Sequence, residues 1–159
     1  MFSKKGINDM SQSLTKIYIH AIFSTKHREP CLTSAIQPSL YKYIAAICNS
    51  IKCIPIKVGG YTDHIHLLCM LSKTITVVDM IKEVKISSSK WMKLQGECFR
   101  KFYWQDGYGA FSINPMQTDD VCRYIENQYE HHRLRSFQEE FRMFLDRYHI
   151  PFEEKYLWD

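Results

Sequence analysis

The stretch Tyr61-Thr62-Asp63-His64-Ile65-His66-Leu67-Leu68-Cys69-Met70-Leu71 decides how the rest of the chain is read. It is apolar enough for an internal strand, yet it carries two histidines one residue apart. A strand has period two, so His64 and His66 share one face while Ile65 and Leu67 take the other. Two imidazoles side by side on a rigid strand form half of a divalent metal site. The plainer alternative is two hydrogen-bonded histidines on a polar sheet face. A helix about sixty residues downstream favours the metal reading.

That helix opens at Asn114-Pro115, with asparagine as cap and proline in the first turn. The pattern carries it to about Arg135. Its apolar stripe starts at Val121 and Ile125, and Tyr124 and Gln128 complete it. A hydroxyl and an amide facing a core need polar company. One turn apart, they present an oxygen each to the same place. His131, His132, Arg133 and Arg135 make the end of the helix basic.

The flanking segments set the fold. Residues 54–58 predict a short strand with Ile54, Ile56 and Val58 inward. Gly59-Gly60 then predicts the turn of an antiparallel hairpin into the His64 strand. Residues 15–25 alternate cleanly, with Ile17, Ile19, Ala21 and Phe23 on one face and Tyr18, His20, Ile22 and Ser24 on the other. His20 can reach the metal region, but a single histidine in a strand reads as structural. Residues 34–51 have the helical spacing of Leu40, Ile44 and Ile47, with Ser34 as cap and Pro38 in the first turn. Residues 72–94 form a second helix on Val77, Met80, Ile81 and Val84, with Lys82, Lys85, Lys90 and Lys93 as a basic side. Residues 99–113 are aromatic and broken by Gly107 and Gly109, which predicts a bent strand that another backbone approaches closely. Residues 137–148 form a last helix on Phe141, Phe144, Leu145 and Tyr148. The tail from Phe152 packs on the domain surface.

The order is strand, helix, strand, strand, helix, strand, then helices. It predicts an α+β domain of the ferredoxin-like or RRM-like split βαβ kind. Its four-stranded antiparallel sheet has strands one and three in the centre, helices on one face, an open face for chemistry and added C-terminal helices.

Composition sets the outer limits. The chain has 159 residues, 45% hydrophobic and 24% charged, which suits one soluble domain. No apolar run approaches the roughly 20 residues that span a bilayer. The start lacks the apolar core of a secretory signal. The first thirteen residues read as a dispensable extension before a single domain over 14–159, and Met10 is an alternative start. Six scattered cysteines, with no C-x-x-C pair, read as reduced, buried thiols of a cytoplasmic protein. A net charge of +4 is compatible with a polyanionic partner. Ten tyrosines offer rings on which unpaired bases stack.

Five stretches in order carry a family resemblance. They are residues 15–26 (TKIYIHAIFSTK), 63–68 (DHIHLL), 85–91 (KISSSKW), 104–112 (WQDGYGAFS) and 124–132 (YIENQYEHH). Together they resemble the small HUH single-tyrosine transposases of bacterial insertion sequences and their REP-associated relatives, from Leu14 to Asp159. The His-hydrophobic-His pattern alone is weakly specific; the set is highly specific.

The resemblance implies a metal-dependent enzyme that cuts and rejoins single-stranded DNA. His64, His66 and Gln128 would hold Mg²⁺ or Mn²⁺, and Tyr124 would be the nucleophile, forming a 5′-phosphotyrosine. It further implies hairpin-bearing DNA ends as partner and a homodimer. In that dimer a site can combine His64 and His66 of one chain with Tyr124 of the other. Lys82, Lys85, Lys90, Arg133 and Arg135 are the expected DNA contacts. Competing readings are a related nickase, a non-catalytic RRM-like nucleic-acid-binding module and a zinc hydrolase. The module gives no reason for Tyr124 and Gln128 to align with the histidines, and the hydrolase lacks an evident base near them.

Overall fold

In the computed structural model, which describes residues 12–158, the alternating segment forms strand β1 (Tyr18–Ser24). Helix α1 (Gln37–Ser50), strands β2 (Ile54–Gly60) and β3 (His64–Met70), helix α2 (Val77–Lys93) and strand β4 (Gly109–Ile113) follow. The sheet order is β2-β3-β1-β4, with neighbours antiparallel. This is the predicted α+β split βαβ arrangement, with β1 and β3 in the centre. Helices α3 (Thr118–Glu126), α4 (Gln128–His132), α5 (Phe137–Arg147) and α6 (Glu154–Leu157) complete the chain. The expected extension, with its alternative start, falls almost wholly outside the described residues.

Period two sorts the central strands between two cores. Ile19, Ala21 and Phe23 of β1 join Ile65, Leu67 and Cys69 of β3 in a core with Leu40 and Ile44 of α1 and Met80, Ile81 and Val84 of α2. The other face carries His20, Ile22, His64 and His66. The split βαβ arrangement predicts that this face is open, and it is covered instead. Phe137, Phe141 and Leu145 of α5 close over Ile22 and Phe111, because the apolar stripe of α5 needs an apolar partner. The tail joins this layer. Leu157 and Trp158 pack against it, with Arg28 and Arg142 5.5 and 5.1 Å from the Trp158 ring centroid.

One row across the sheet explains how closely the helices come. Gly59 lies opposite His66, His66 opposite Ile22, and Ile22 opposite Gly109. A Cβ at Gly59 would lie 2.6 Å from Ile125 of α3, and one at Gly109 2.5 Å from the Phe141 ring of α5. The row's two glycines thus admit a helix at each end. Gly59 and Gly60 therefore do not make the hairpin turn. Both belong to β2, and the turn is 61–63, closed by Tyr61 N–H donating to the His64 carbonyl at 3.1 Å.

Other boundaries differ for local reasons. β2 is an edge strand with a register shift between Pro55 and Lys57, so Ile54 and Ile56 are exposed and not inward. The aromatic segment yields only the short β4; upstream, Trp104 makes one isolated bridge to Thr25. Helix α1 starts after Ile36, two residues beyond the expected Ser34 cap, with Pro38 in its first turn. The predicted helix over 114–135 breaks at Asn127, whose φ of −91° and ψ of 21° leave the helical basin. All six cysteines are unpaired as expected, but Cys98 is exposed and Cys31 and Cys122 are half-buried.

Candidate active site

His64 and His66 are fully buried on the face covered by α3 to α5. The Asp63 carboxylate lies 2.7 Å from His64 Nδ1 and accepts its proton. With Nδ1 so engaged, His64 Nε2 lies 3.1 Å from Gln128 Oε1. The Gln128 amide nitrogen donates to the Tyr124 carbonyl at 3.2 Å, which turns Oε1 toward the histidines. His66 Nδ1 lies 2.9 Å from His20 Nε2, and the two rings stack at 5.1 Å. His20, expected to be structural, thus holds His66 in orientation. Burial lowers the pKa of His20 and of His66, so both rest neutral.

Tyr124 projects from α3 into the same place. Its ring centroid is 5.7 Å from that of His66 and 6.4 Å from that of His20, and its hydroxyl faces Gln128 and Glu140. Burial, then the Glu140 charge, raises its pKa well above the usual tyrosine range. The break at Asn127 leaves the i, i+4 relation usable. Asn127 N–H still donates to the Arg123 carbonyl, and His131 N–H to the Asn127 carbonyl, each at 3.1 Å. One chain therefore assembles His64, His66, Tyr124 and Gln128. The expected sharing of Tyr124 between chains is not needed to build the site.

Two residues were missed by sequence reasoning. Glu140 of α5 is buried, with Oε1 2.7 Å from His66 Nε2 and 3.9 Å from His64 Nε2. His132 of α4 places Nε2 3.0 Å from Glu140 Oε2 and 3.0 Å from Gln128 Oε1. Its Nδ1 donates to the Arg135 carbonyl at 2.8 Å. Burial opposes charge on His132, but Glu140 outweighs it and the pKa is raised. Burial likewise opposes ionisation of Glu140, yet the adjacent His132 and His66 rings hold the carboxyl far below its usual range. The signal for Glu140 was its place in the α5 stripe, three residues after Phe137 and one before Phe141.

Lone pairs converge here. Ligand atoms of His64, His66 and Glu140 lie within 4.8 Å of one another. Although 2.7 Å apart, His66 Nε2 and Glu140 Oε1 are not aligned for a hydrogen bond, and neither has another partner among the described residues. Buried polar atoms are rarely left so. Nitrogen and oxygen donors aimed at one point suit a divalent cation.

The expected DNA contacts fall in two places. Lys82 and Lys90 are exposed on α2, across the sheet from the histidines. With Lys93 and Tyr103 they line a groove of about 510 Å³. Lys85 sits deeper, donating to the carbonyls of Gln105, Asp106 and Gly107 at 2.9, 3.1 and 2.7 Å. Its ammonium is spent on that loop. Arg133 and Arg135 are exposed just after α4, and Arg133 pairs with Glu130 at 3.0 Å.

Fold and site define a class: a split βαβ domain with two histidines on a central strand, overlaid by a tyrosine and a glutamine from one helical segment. The sequence model described as "Transposase IS200 like" matches residues 13–128. The chain belongs to the IS200-like transposase family. Two solved structures share its fold. A candidate transposase from Deinococcus radiodurans R1 is 22% identical, with a TM-score of 0.58 over 79% of this chain and 98% of its own. A REP-associated tyrosine transposase bound to a REP hairpin is 15% identical, with a TM-score of 0.54 over 79% of this chain and 74% of its own. No curated protein matches the sequence. Among the described residues no helix is long and apolar enough to cross a membrane.

Proposed function

We propose that the protein cleaves and rejoins single-stranded DNA through a covalent bond between Tyr124 and a 5′-phosphate. The observation that carries this is the packing of Tyr124 over His66 with its hydroxyl toward Gln128, inside one chain. His64, His66 and Gln128 would hold a divalent cation, Mg²⁺ or Mn²⁺, which would supply Lewis acidity at the scissile phosphate. Asp63 and His20 keep the two imidazoles turned toward that point. The tyrosine Oη attacks phosphorus in line, the Oη–P bond forms as the P–O3′ bond breaks, and the phenol proton passes, in net, to the departing 3′-oxygen, which leaves as a hydroxyl. Because the phosphotyrosine keeps the phosphodiester's reactivity, a 3′-hydroxyl on another DNA end reverses the step without ATP.

The substrate in this reading is single-stranded DNA with a hairpin. The family membership supports it, as does the REP hairpin held by one structural neighbour. A homodimer enters through the resemblance; in this reading the chemistry is complete in one chain. The RRM-like alternative is weakened by the buried sheet, since α5 occupies the face on which such a module would stack bases.

The test is a labelled hairpin oligonucleotide incubated with the protein and Mn²⁺, then separated under denaturing conditions. The wild-type chain becomes covalently labelled, and Tyr124→Phe does not, while both bind the oligonucleotide. Label on Tyr124→Phe, or mapped to another tyrosine, refutes the assignment. Transfer of the labelled strand to a second oligonucleotide separates a transposase from a nickase.

A further inference from the structure

We infer that Glu140, on a helix outside the family-matched residues 13–128, is a direct metal ligand of this site, braced by His132. The inference rests on the proposed metal site at His64 and His66 and adds to it a ligand that the sequence pattern does not provide.

A carboxylate taken fully out of water needs a cation or a full set of donors. Glu140 Oε2 has His132 at 3.0 Å, but Oε1 has no hydrogen-bond partner among the described residues. Across the site from Oε1 lies His66 Nε2, itself without a hydrogen-bond partner, at 2.7 Å. Two buried atoms so close, yet turned off the line of a mutual hydrogen bond, aim at a shared third point. His64 Nε2 lies 3.9 Å from the same Glu140 Oε1, and Gln128 Oε1 lies 3.1 Å from His64 Nε2. His64 donates its Nδ1–H to Asp63, so its Nε2 lone pair is free to face that point.

Two imidazoles, an amide oxygen and one carboxylate oxygen form a mixed set that suits Mn²⁺ better than Mg²⁺, which prefers oxygens. Helix α5 is also the helix that Phe137, Phe141 and Leu145 seat on the sheet. Metal binding and docking of α5 are therefore coupled: the cation ties the C-terminal layer to the central strand.

The experiment titrates Mn²⁺ into the full chain, free of DNA, and reads affinity by calorimetry or by electron paramagnetic resonance of free Mn²⁺. The variants are Glu140→Gln, which keeps the shape, and His64→Ala. We expect His64→Ala to lose the site and Glu140→Gln to bind about tenfold more weakly or worse. If His64→Ala loses the site but Glu140→Gln binds as tightly as wild type or tighter, Glu140 is a plug that metal displaces, and the inference is overturned. If wild-type protein does not bind Mn²⁺, the underlying metal reading fails first. A second measurement needs no variant: hydrogen exchange of wild-type protein with and without Mn²⁺. Slowed exchange across Phe137–Arg147 is expected; unchanged exchange there despite binding overturns the coupling.

Discussion

Tyr124 can lie over His66 only because residue 59 lacks a side chain. Gly59 sits beside His66 in the sheet, and the next residue after Tyr124, Ile125, presses on it. A methyl at 59 would meet the Ile125 side chain at 2.6 Å and its carbonyl at 3.1 Å, so α3 must shift. Gly59→Ala should cost about 1–3 kcal/mol in denaturant unfolding. DNA cleavage should fall further than stability explains, since small displacements of a nucleophile are expensive. Full activity in a stably folded Gly59→Ala protein would contradict this account. By contrast, Tyr124→Phe removes one oxygen and should change stability by about 1 kcal/mol or less. Sequence alone could reach His64, His66, Tyr124 and Gln128, because period two and helical spacing are local rules. It could not reach Glu140. That residue is 74 positions from His66, and only the docking of α5 brings them together. Nor did it assign His20 its role, since a lone histidine in a strand carries no pattern.

Among the elements, the segment between α2 and β4 departs furthest from expectation, and Lys85 is the reason. Its aromatic residues have strand propensity, but their backbone is tied elsewhere. Gln105 N–H donates to the Ser24 carbonyl at 2.9 Å, and the Gln105 side-chain oxygen accepts from Ser24 N–H at 2.6 Å. Lys85 gathers the next three carbonyls into a loop. Such tertiary bonds override propensity and leave no local trace. The element order, by contrast, was legible throughout, because each helix and strand carries its own period. The two kinds of lysine on α2 should therefore separate in experiment. Lys85→Met leaves three carbonyls without their donor and should lower unfolding stability by about 1–2 kcal/mol. Lys82→Met and Lys90→Met should leave stability within about 0.5 kcal/mol. These two should instead weaken single-strand binding and flatten its salt dependence, as lost phosphate contacts do. Fluorescence anisotropy at several salt concentrations decides; an unchanged salt slope in a Lys82→Met, Lys90→Met double variant would remove the α2 groove from the DNA path.

At the scale of the whole molecule, the sheet is a partition with a mainly apolar core on one side and the chemistry on the other. The second side exists because the C-terminal helices cover it, as the buried row of Phe137, Phe141 and Leu145 shows. Covering that face excludes water from the histidines, and it also encloses Tyr124 with them in a single chain. An enzyme that shares sites between two chains would have to draw α3 away from the glycine that admits it and from the carbonyl that orients Gln128. Mixing the inactive His64→Ala and Tyr124→Phe chains is the direct measure. If each site is built within one chain, every site in the mixture lacks either its metal ligand or its nucleophile. The mixture should then form no more DNA adduct than either variant alone, whether or not the chains associate in light scattering. Recovery toward a quarter or more of wild-type adduct would mean that Tyr124 crosses between chains. The packing of α3 at Gly59 would then describe only the resting protein.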